Sequence, residues 1–466
     1  MLYERVADRM ADLIARGALR AGDRMPSVRD LSRQERVSTA TVVQAYVQLE
    51  ARGLVEARPQ SGHYVRRQAP GLPQPRPARC SSVAVRPTIA ELVAKVYRAP
   101  RDPRIVNLGT AVPSPELLPT EKINRALAQV ARTAGAVGVG YDPPPGCLPL
   151  RRQIARRMAR VGCAVTESDL LTTFGAMEAL DLALRAVAKP GDTIALESPA
   201  YYGLLQLIAS LGIKVIEIPT HAGTGMDLDA LDDALQSHDL AAVVAIPAFN
   251  NPLGSRMPDD AKARLVSMLA AREIPLIEDD IYGDLPFDDL RPRPAKAWDR
   301  DGGVILCSSF SKTIAPGYRV GWIAGGRFRD AIEQLKFAQT ISTATLPQLA
   351  IVELIDNGGY DQHLRRLRRA LAAQVARTRE AIAASFPEGT RVSDPGGGFV
   401  LWVELPPGIS AVDLHARALE RGVSIAPGPI FSAKARFSNY LRISAGLPWD
   451  ARVEHAIETL GHLAKS

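Results

Sequence analysis

Apolar residues at Leu2, Val6, Met10, Leu13 and Ile14 return every three to four positions, which predicts an amphipathic helix that Gly17 and Ala21-Gly22-Asp23 close in a turn. Pro26-Ser27 opens a second, shorter helix with Val28 and Leu31 facing inward. Val37-Ser38 begins a third, in which the Ser38 hydroxyl can accept a free backbone N–H and Val42, Ala45, Tyr46 and Leu49 form the buried stripe. Three short helices with a tight turn between the last two have helix-turn-helix geometry. The period then switches to alternation: Leu54 to Ala57 and His63 to Arg66 flank Pro59-Gln60-Ser61-Gly62, which predicts a β-hairpin wing.

Between residues 66 and 87 the pattern lapses into five prolines and five arginines with few apolar anchors, the composition of an extended, solvated connector. Helical spacing resumes over 89–97. Beyond residue 110, apolar strand-like runs alternate with amphipathic helices, the signature of an α/β fold on a mainly parallel sheet. Candidate strands are 170–174, 193–197, 215–218, 242–246, 276–278 and 304–307. A last stretch, from Gly396 to Val403 and on through Tyr440 to Ser444, mixes strand and helix and predicts a smaller C-terminal subdomain. The expected organisation is a winged head over 1–66, a Pro/Arg-rich linker and connecting helix over 67–100, and an α/β body over 101–466 whose small subdomain covers about 360–466.

At 466 residues the chain exceeds what one core holds, in keeping with several domains. Charge sharpens the division. Residues 1–79 carry fourteen Arg, no Lys and eight acids, whereas the rest of the chain is nearly balanced, so the net +7 sits almost wholly on the head and connector. Such asymmetry points to a polyanionic partner, because guanidiniums that neutralise phosphates release counterions. Cys80, Cys147, Cys163 and Cys307 are scattered without a Cys-x-x-Cys pair, and no signal segment opens the chain, which predicts reduced thiols in a cytoplasm. The longest apolar runs fall short of the ~20 residues that span a bilayer, so no membrane role is expected.

The chemistry-bearing residues gather at the ends of the apolar runs, where open α/β sheets bind ligands. Gly175-Ala176-Met177 marks a strand passing into a helix, an anion site made of backbone N–H groups and the helix dipole. Ser309 and Ser311 add hydroxyls beside Lys312. Asp279 ends another run, with Tyr282 three residues on, and Asn251 stands in Asn250-Asn251-Pro252. These are the groups that pyridoxal 5'-phosphate requires: an anchor for its phosphate, a carboxylate to keep the pyridine nitrogen protonated, donors for the phenolic oxygen, and an amine for the aldehyde. Asp279 suits the pyridine N–H, Tyr282 and Asn251 the phenolic oxygen, Tyr201 the ring face, and Lys312 a Schiff base followed by proton transfer. Arg442 is a planar fork for an α-carboxylate.

Two resemblances follow. The head resembles GntR-type winged-helix regulators through Leu19 to Leu31, Val37 to Val42 and Ser61-Gly62-His63-Tyr64-Val65. That likeness implies a double-stranded DNA operator as partner, contacted by Arg29 from the second helix, by the Ser38, Thr39, Thr41 and Gln44 face in the major groove, and by Ser61-Gly62 at the wing. The chain departs from the pattern at Thr39 and Val43, where arginines are common, so the usual guanine-reading fork is absent there. Over roughly residues 105–466 the chain resembles the fold-type I aminotransferases of class I/II. By that resemblance Asn251, Asp279, Tyr282, Lys312 and Arg442 take the roles just given and Arg319 joins Ser309 and Ser311 at the phosphate. Tyr141 would reach the phosphate of a partner subunit, which implies a homodimer.

A GntR-type wing, a Pro-rich linker and a fold-type I body in one chain resemble the MocR subfamily of transcriptional regulators. The function this implies is a DNA-binding regulator whose body senses the cofactor or a small amino compound through Lys312. The competing reading is a working aminotransferase that carries a DNA-binding module, since Lys312, Asp279 and Arg442 serve either.

Overall fold

The computed structural model describes residues 2–20, 22–51, 54–58, 62–65, 72–78, 80, 83–87, 93–94, 102, 104–288 and 290–466. They form two compact units, the smaller carrying the N-terminal segment and the larger Pro73–Val375 and Ser385–Ser466.

In the head, α1 (Leu2–Ala15), α2 (Val28–Glu35) and α3 (Thr39–Ala51) precede β1 (Val55–Arg58) and β2 (Gly62–Val65), which pair antiparallel with Val55 opposite Val65. Val6, Met10, Leu31, Val42, Ala45, Tyr46 and Leu49 share one core with Val55 and Val65, so the helical stripes do turn inward. Both later helices are capped by serine: Ser27 Oγ accepts from Asp30 N and Ser38 Oγ from Thr41 N, each at 3.1 Å, contributions of about 1 kcal/mol apiece. The segment after α1 is more than the predicted turn. Gly22 N donates to Val65 O, Val65 N to Asp23 O and Met25 N to His63 O, all at 2.8 Å, so residues 22–25 run along β2 and form an antiparallel bridge between Arg24 and Tyr64. Only Met25 among them is apolar and buried, too little alternation to announce the pairing. The hairpin tip at Pro59, Gln60 and Ser61 and most of the segment 89–97 lie outside the described residues.

The body holds an eight-stranded sheet of β3 (Leu170–Thr173), β4 (Thr193–Ser198), β5 (Lys214–His221), β6 (Gly225–Met226), β7 (Ala242–Ala245), β8 (Leu276–Asp279), β9 (Val304–Ser309) and β10 (Gly321–Ala324). The order is β3-β10-β9-β8-β7-β4-β5-β6. Strands β9 through β5 are mutually parallel, while β10 runs antiparallel between β3 and β9. Every residue of β3, β7, β8 and β10 is buried; β7 and β10 accordingly read as unbroken apolar runs, whereas β3 and β8 end in Thr172-Thr173 and Glu278-Asp279. All the predicted strands are present; β10 was hidden in the sequence because it follows the Lys312 turn directly and begins with glycine. A Cβ at Gly321 would lie 2.6 Å from the Gly175 carbonyl carbon, so glycine is what lets β10 pass against the turn that leads from β3 into the helix beginning at Ala176.

A second, antiparallel sheet of β11 (Arg391–Val392), β12 (Val400–Glu404), β13 (Ala426–Pro427) and β14 (Tyr440–Ser444) has the order β11-β12-β14-β13. Trp402 is fully buried at its centre, edge-on to Phe431 and Phe437 and stacked on Tyr440. Val106-Asn107 pairs parallel with Val423-Ser424, so the first strand of the body belongs with its last lobe. The helices that matter below are α4 (Thr120–Thr133), α5 (Ala176–Val187), α6 (Tyr202–Ser210), α7 (Thr345–Asp356) and α8 (Gly359–Ser385). Among the described residues no helix is long and apolar enough to cross a membrane.

Candidate functional site

The carboxyl ends of β8 and β9 and the turn from β3 into α5 converge on a cavity of about 550 Å³, walled by Asn251, Asp279, Tyr282, Ser311, Lys312 and Arg319 among others. Its position follows from topology: parallel strands all end on this edge, and the loops that leave them are free to carry functional groups.

One end of the cavity is built for an anion. Gly175 adopts φ +78° just before α5, and a Cβ there would sit 2.6 Å from Arg319 Nη2. That guanidinium donates to Phe174 O at 3.0 Å and to Ser311 Oγ at 3.4 Å, across the start of α5. Glu178 in the first turn of α5 accepts from Phe174 N at 2.7 Å, and Lys336 Nζ donates to the same carboxylate at 2.8 Å, so its charge is compensated and the helix terminus remains attractive to anions. Ala176 and Met177 form part of the wall. Ser309 lies behind it, its Oγ accepting from Ser311 N at 3.2 Å.

At the other end Asp279 is buried, and desolvation pushes its carboxyl up to about 7; the Ile281 N–H, 3.1 Å away, and the charge of Lys312 pull it down, Asp280 pushes it up. A carboxylate held there gains by facing a cation. Lys312 Nζ donates to Ala111 O at 2.6 Å. Its amine is lowered to about 8, first by burial, then by the positive charge of Arg442 and Arg319, against the pull of Asp279. The side chain lines the cavity and is half-buried, and the protein around it governs its protonation. Tyr282 is buried, its phenol raised by desolvation, so it stays a neutral hydroxyl; it accepts from Asn251 Nδ2 at 3.5 Å.

Arg442, on β14, is wholly buried. Nη1 donates to Asn251 Oδ1 at 2.9 Å, Nη2 to Gly109 O, and Nε has no partner among the described residues. The guanidinium lies 5.2 Å from the Phe431 ring centroid and 5.8 Å from that of Tyr202. A buried cation held by neutral acceptors and ring faces is expensive unless an anion joins it. Tyr201 caps the start of α6, lines the cavity and tilts against Tyr202 with centroids 4.9 Å apart. Tyr141 is 79 % exposed and forms no part of the wall.

Sequence reasoning missed the segment that closes the cavity from the side. Thr110, Ala111 and Val112 line it, and the carbonyls of Gly109 and Ala111 receive Arg442 and Lys312. Asn107 shapes the turn by accepting from Gly109 N and Thr110 N, both at 3.1 Å. Backbone carbonyls carry no side-chain signature; the Asn-x-Gly-Thr run was the only available trace.

In the head, Arg29, Thr39 and Gln44 are exposed, as is Val43, and Gly62 is exposed with φ +102°. Ser38 Oγ and Thr41 Oγ1 lie 2.8 Å apart, each engaged with the other at the cap of α3. Ser61 lies outside the described residues. The face therefore offers one guanidinium, hydroxyls, an amide and a valine, a set that can make phosphate and methyl contacts but no paired arginine fork.

The donor set of the cavity fits pyridoxal 5'-phosphate: a glycine cradle and Arg319 at a helix start for the phosphate, a buried carboxylate for the ring nitrogen, an amine near neutrality and, behind Asn251 of the wall, a buried guanidinium with one nitrogen unpartnered among the described residues. A winged helix-turn-helix head and a fold-type I body that takes pyridoxal phosphate thus define the class of protein. Comparison with known families agrees. Residues 2–65 match the gntR family of bacterial regulatory proteins, and residues 103–460 match the aminotransferase class I and II family. The chain is 40 % identical to the HTH-type transcriptional regulator YdcR of Escherichia coli, over 99 % of its own length and 98 % of that protein. It is 32 % identical to the 2-aminoadipate transaminase of Thermus thermophilus, over 81 % and 94 %. The crystal structure of LysN, an alpha-aminoadipate aminotransferase of Thermus thermophilus complexed with N-(5'-phosphopyridoxyl)-L-leucine, superposes with a TM-score of 0.74 at 30 % identity, over 81 % of this chain and 98 % of that one. The chain belongs to the GntR-type transcriptional regulators of the MocR subfamily, in which a gntR head is joined to a class I and II aminotransferase body.

Proposed function

We propose that this regulator binds an operator through its winged head and changes that binding when an amino acid enters the pyridoxal phosphate cavity. When bound, the cofactor supplies an aldehyde for amines and a ring that withdraws electrons from the carbon attached to them. The chain's residues do the rest. Lys312 presents an amine lowered to about 8, so that roughly half of it is unprotonated at that pH. Asp279 holds the positive ring nitrogen, Tyr282 and Asn251 hold the phenolic oxygen, and Tyr201 covers the ring face. Arg319, Ser311, Ser309 and the start of α5 through Gly175, Ala176 and Met177 hold the phosphate. Arg442 takes the ligand carboxylate. The observation that carries this reading is the buried Arg442 with its partnerless Nε: a fold kept only as a scaffold has no use for that charge.

Val137, Val139 and Tyr141 are exposed apolar residues on one short loop, a surface suited to a second copy of the chain, with Tyr141 reaching the partner's phosphate site. The segment 67–100 would tether each head, and pairing two heads raises their effective concentration on a divided operator. In the second reading the same cavity turns over amino acids and the head is an appendage. Footprinting on the chain's own upstream DNA, with pyridoxal phosphate and a panel of amino acids, separates the two. The expected result is a footprint that shifts with an amino acid in the wild type and does not shift in Arg442→Lys, which keeps the charge and loses the fork. A footprint indifferent to every amino acid, together with turnover of a substrate pair at ordinary enzymatic rates, would establish the aminotransferase instead.

A further inference from the structure

A second basic feature of the body has no part in that reading. On α8, Gln362, Arg365, Arg366 and Arg369 fall at i, i+3, i+4 and i+7 and so share one helix face, and with Lys122 of α4 they line a cavity of about 460 Å³. Lys122 Nζ donates to Gln362 Oε1 at 2.9 Å, joining the two helices. The three arginines are exposed and form no ion pair among the described residues. Their neighbours are committed elsewhere: Asp361 holds Arg157 at 2.7 Å and Arg160 at 3.6 Å, and Arg368 turns inward to donate to Asp284 O at 2.9 Å. Like charges at these spacings repel one another, so the face is unfavourable until an anion occupies it.

The sixth lining residue is different in kind. His363 is 2 % exposed, and its Nε2 lies 2.7 Å from the carbonyl of Thr313, the residue after Lys312. A carbonyl only accepts, so Nε2 carries the hydrogen and Nδ1 is a bare acceptor. That Nδ1 is buried with no partner among the described residues. Four cationic side chains thus line one cavity with a buried imidazole whose free ring nitrogen is an unfilled acceptor among the described residues.

We propose that this cavity binds a phosphate monoester, with Lys122, Arg365, Arg366 and Arg369 around the phosphoryl oxygens and His363 Nδ1 accepting the remaining phosphate O–H. The chemistry selects among anions. Guanidinium forks match phosphoryl oxygens. A monoester keeps one O–H through part of the neutral range, its second pKa being about 6, whereas sulfate, carboxylate and the diester of a DNA backbone have none to donate. A rigid duplex can also meet the exposed arginines only at the rim.

The test is calorimetric titration of the cofactor-loaded, full-length protein with inorganic phosphate and, at equal ionic strength, with sulfate. One phosphate site per chain is expected, with sulfate at least about tenfold weaker. Arg366→Gln/Arg369→Gln, exposed positions that leave folding intact, lowers phosphate affinity about tenfold or more while the cofactor absorbance stays unchanged. His363→Leu removes the acceptor and erases the difference between phosphate and sulfate. Equal binding of the two anions by the wild type, or unchanged phosphate binding in the double variant, overturns the proposal. So does loss of non-operator duplex binding in the double variant when the wild type binds no phosphate, which makes the arginines a DNA contact.

Discussion

The two ends of this chain handle charge in opposite ways. Around the cavity in the body most charged groups are buried and interlocked: Asp279 lies in the wall, Arg442 is tied to Asn251 and to a Gly109 carbonyl, and outside the wall Arg291 bridges Asp280 and Asp284, while Lys312 is half-buried and Arg319 exposed. In the head the described arginines of residues 1–36 lie on the surface, and Arg29, Thr39, Gln44 and Gly62 are exposed, with Ser38 and Thr41 engaged at the cap of α3. Burial raises the stake of each interaction, because an unpaired charge in low dielectric costs several kcal/mol whereas an exposed one is screened within about 10 Å. The body is thus preorganised around one ligand geometry, while the head relies on many weak, additive contacts. Single substitutions should fall hard on one and lightly on the other.

The largest contrast is expected at Lys312 and Asp279. Borohydride reduction of the holoprotein should leave a pyridoxyl group on Lys312 alone, and Lys312→Ala should carry none; peptide mapping that finds the label on another lysine breaks the assignment. Asp279→Ala removes the charge facing the ring nitrogen. By the cost of breaking a buried pair, about 3–5 kcal/mol, cofactor affinity should drop by roughly 10²–10⁴-fold, measured as loss of cofactor absorbance on dilution. Near-normal retention would show that Asp279 does not meet the ring.

A graded effect follows from the amine of Lys312. Burial and the neighbouring cations bring it to about 8, so its neutral fraction grows as pH rises toward that value and saturates above it. An ordinary lysine titrates near 10.4. Capture of pyridoxal phosphate by the cofactor-free protein should therefore accelerate roughly tenfold per pH unit below 8 and level off above it. A rate still climbing at pH 10 would mean that the amine is not shielded and that the cavity is less preorganised than its geometry states.

What was legible in the sequence divides along the same line. The strands of the sheet, and Asn251, Asp279 and Lys312 at or beyond their ends, stand out because doubly covered strands are mostly apolar and the polar groups that follow show against the run. The Ser38 cap and the inward stripe of α3 were equally plain. The contributions that stayed hidden act through the backbone or across long separations. The carbonyls of Gly109 and Ala111 have no residue signature, β10 is masked by the turn before it, and residues 22–25 are too short to show alternation. His363 lies 50 residues from the Thr313 carbonyl it meets, so only the fold brings them together.

The smallest effect, and the one that tests the head's side of the comparison, is expected at Arg29. Its side chain is exposed, so Arg29→Ala should leave thermal stability within about 0.5 kcal/mol of wild type, as surface substitutions do. If it contacts a backbone phosphate, operator affinity falls severalfold and the slope of log K against log salt decreases by about 0.9, one counterion's worth for duplex DNA. The loss should be the same for operator and for unrelated duplex, because a phosphate contact carries no sequence information. A loss confined to the operator, with the salt slope unchanged, would place Arg29 on a base edge. The head would then have one strong, specific contact to set beside those of the body, and the contrast between a preorganised cavity and a distributed reading face would fail at the residue where it is sharpest.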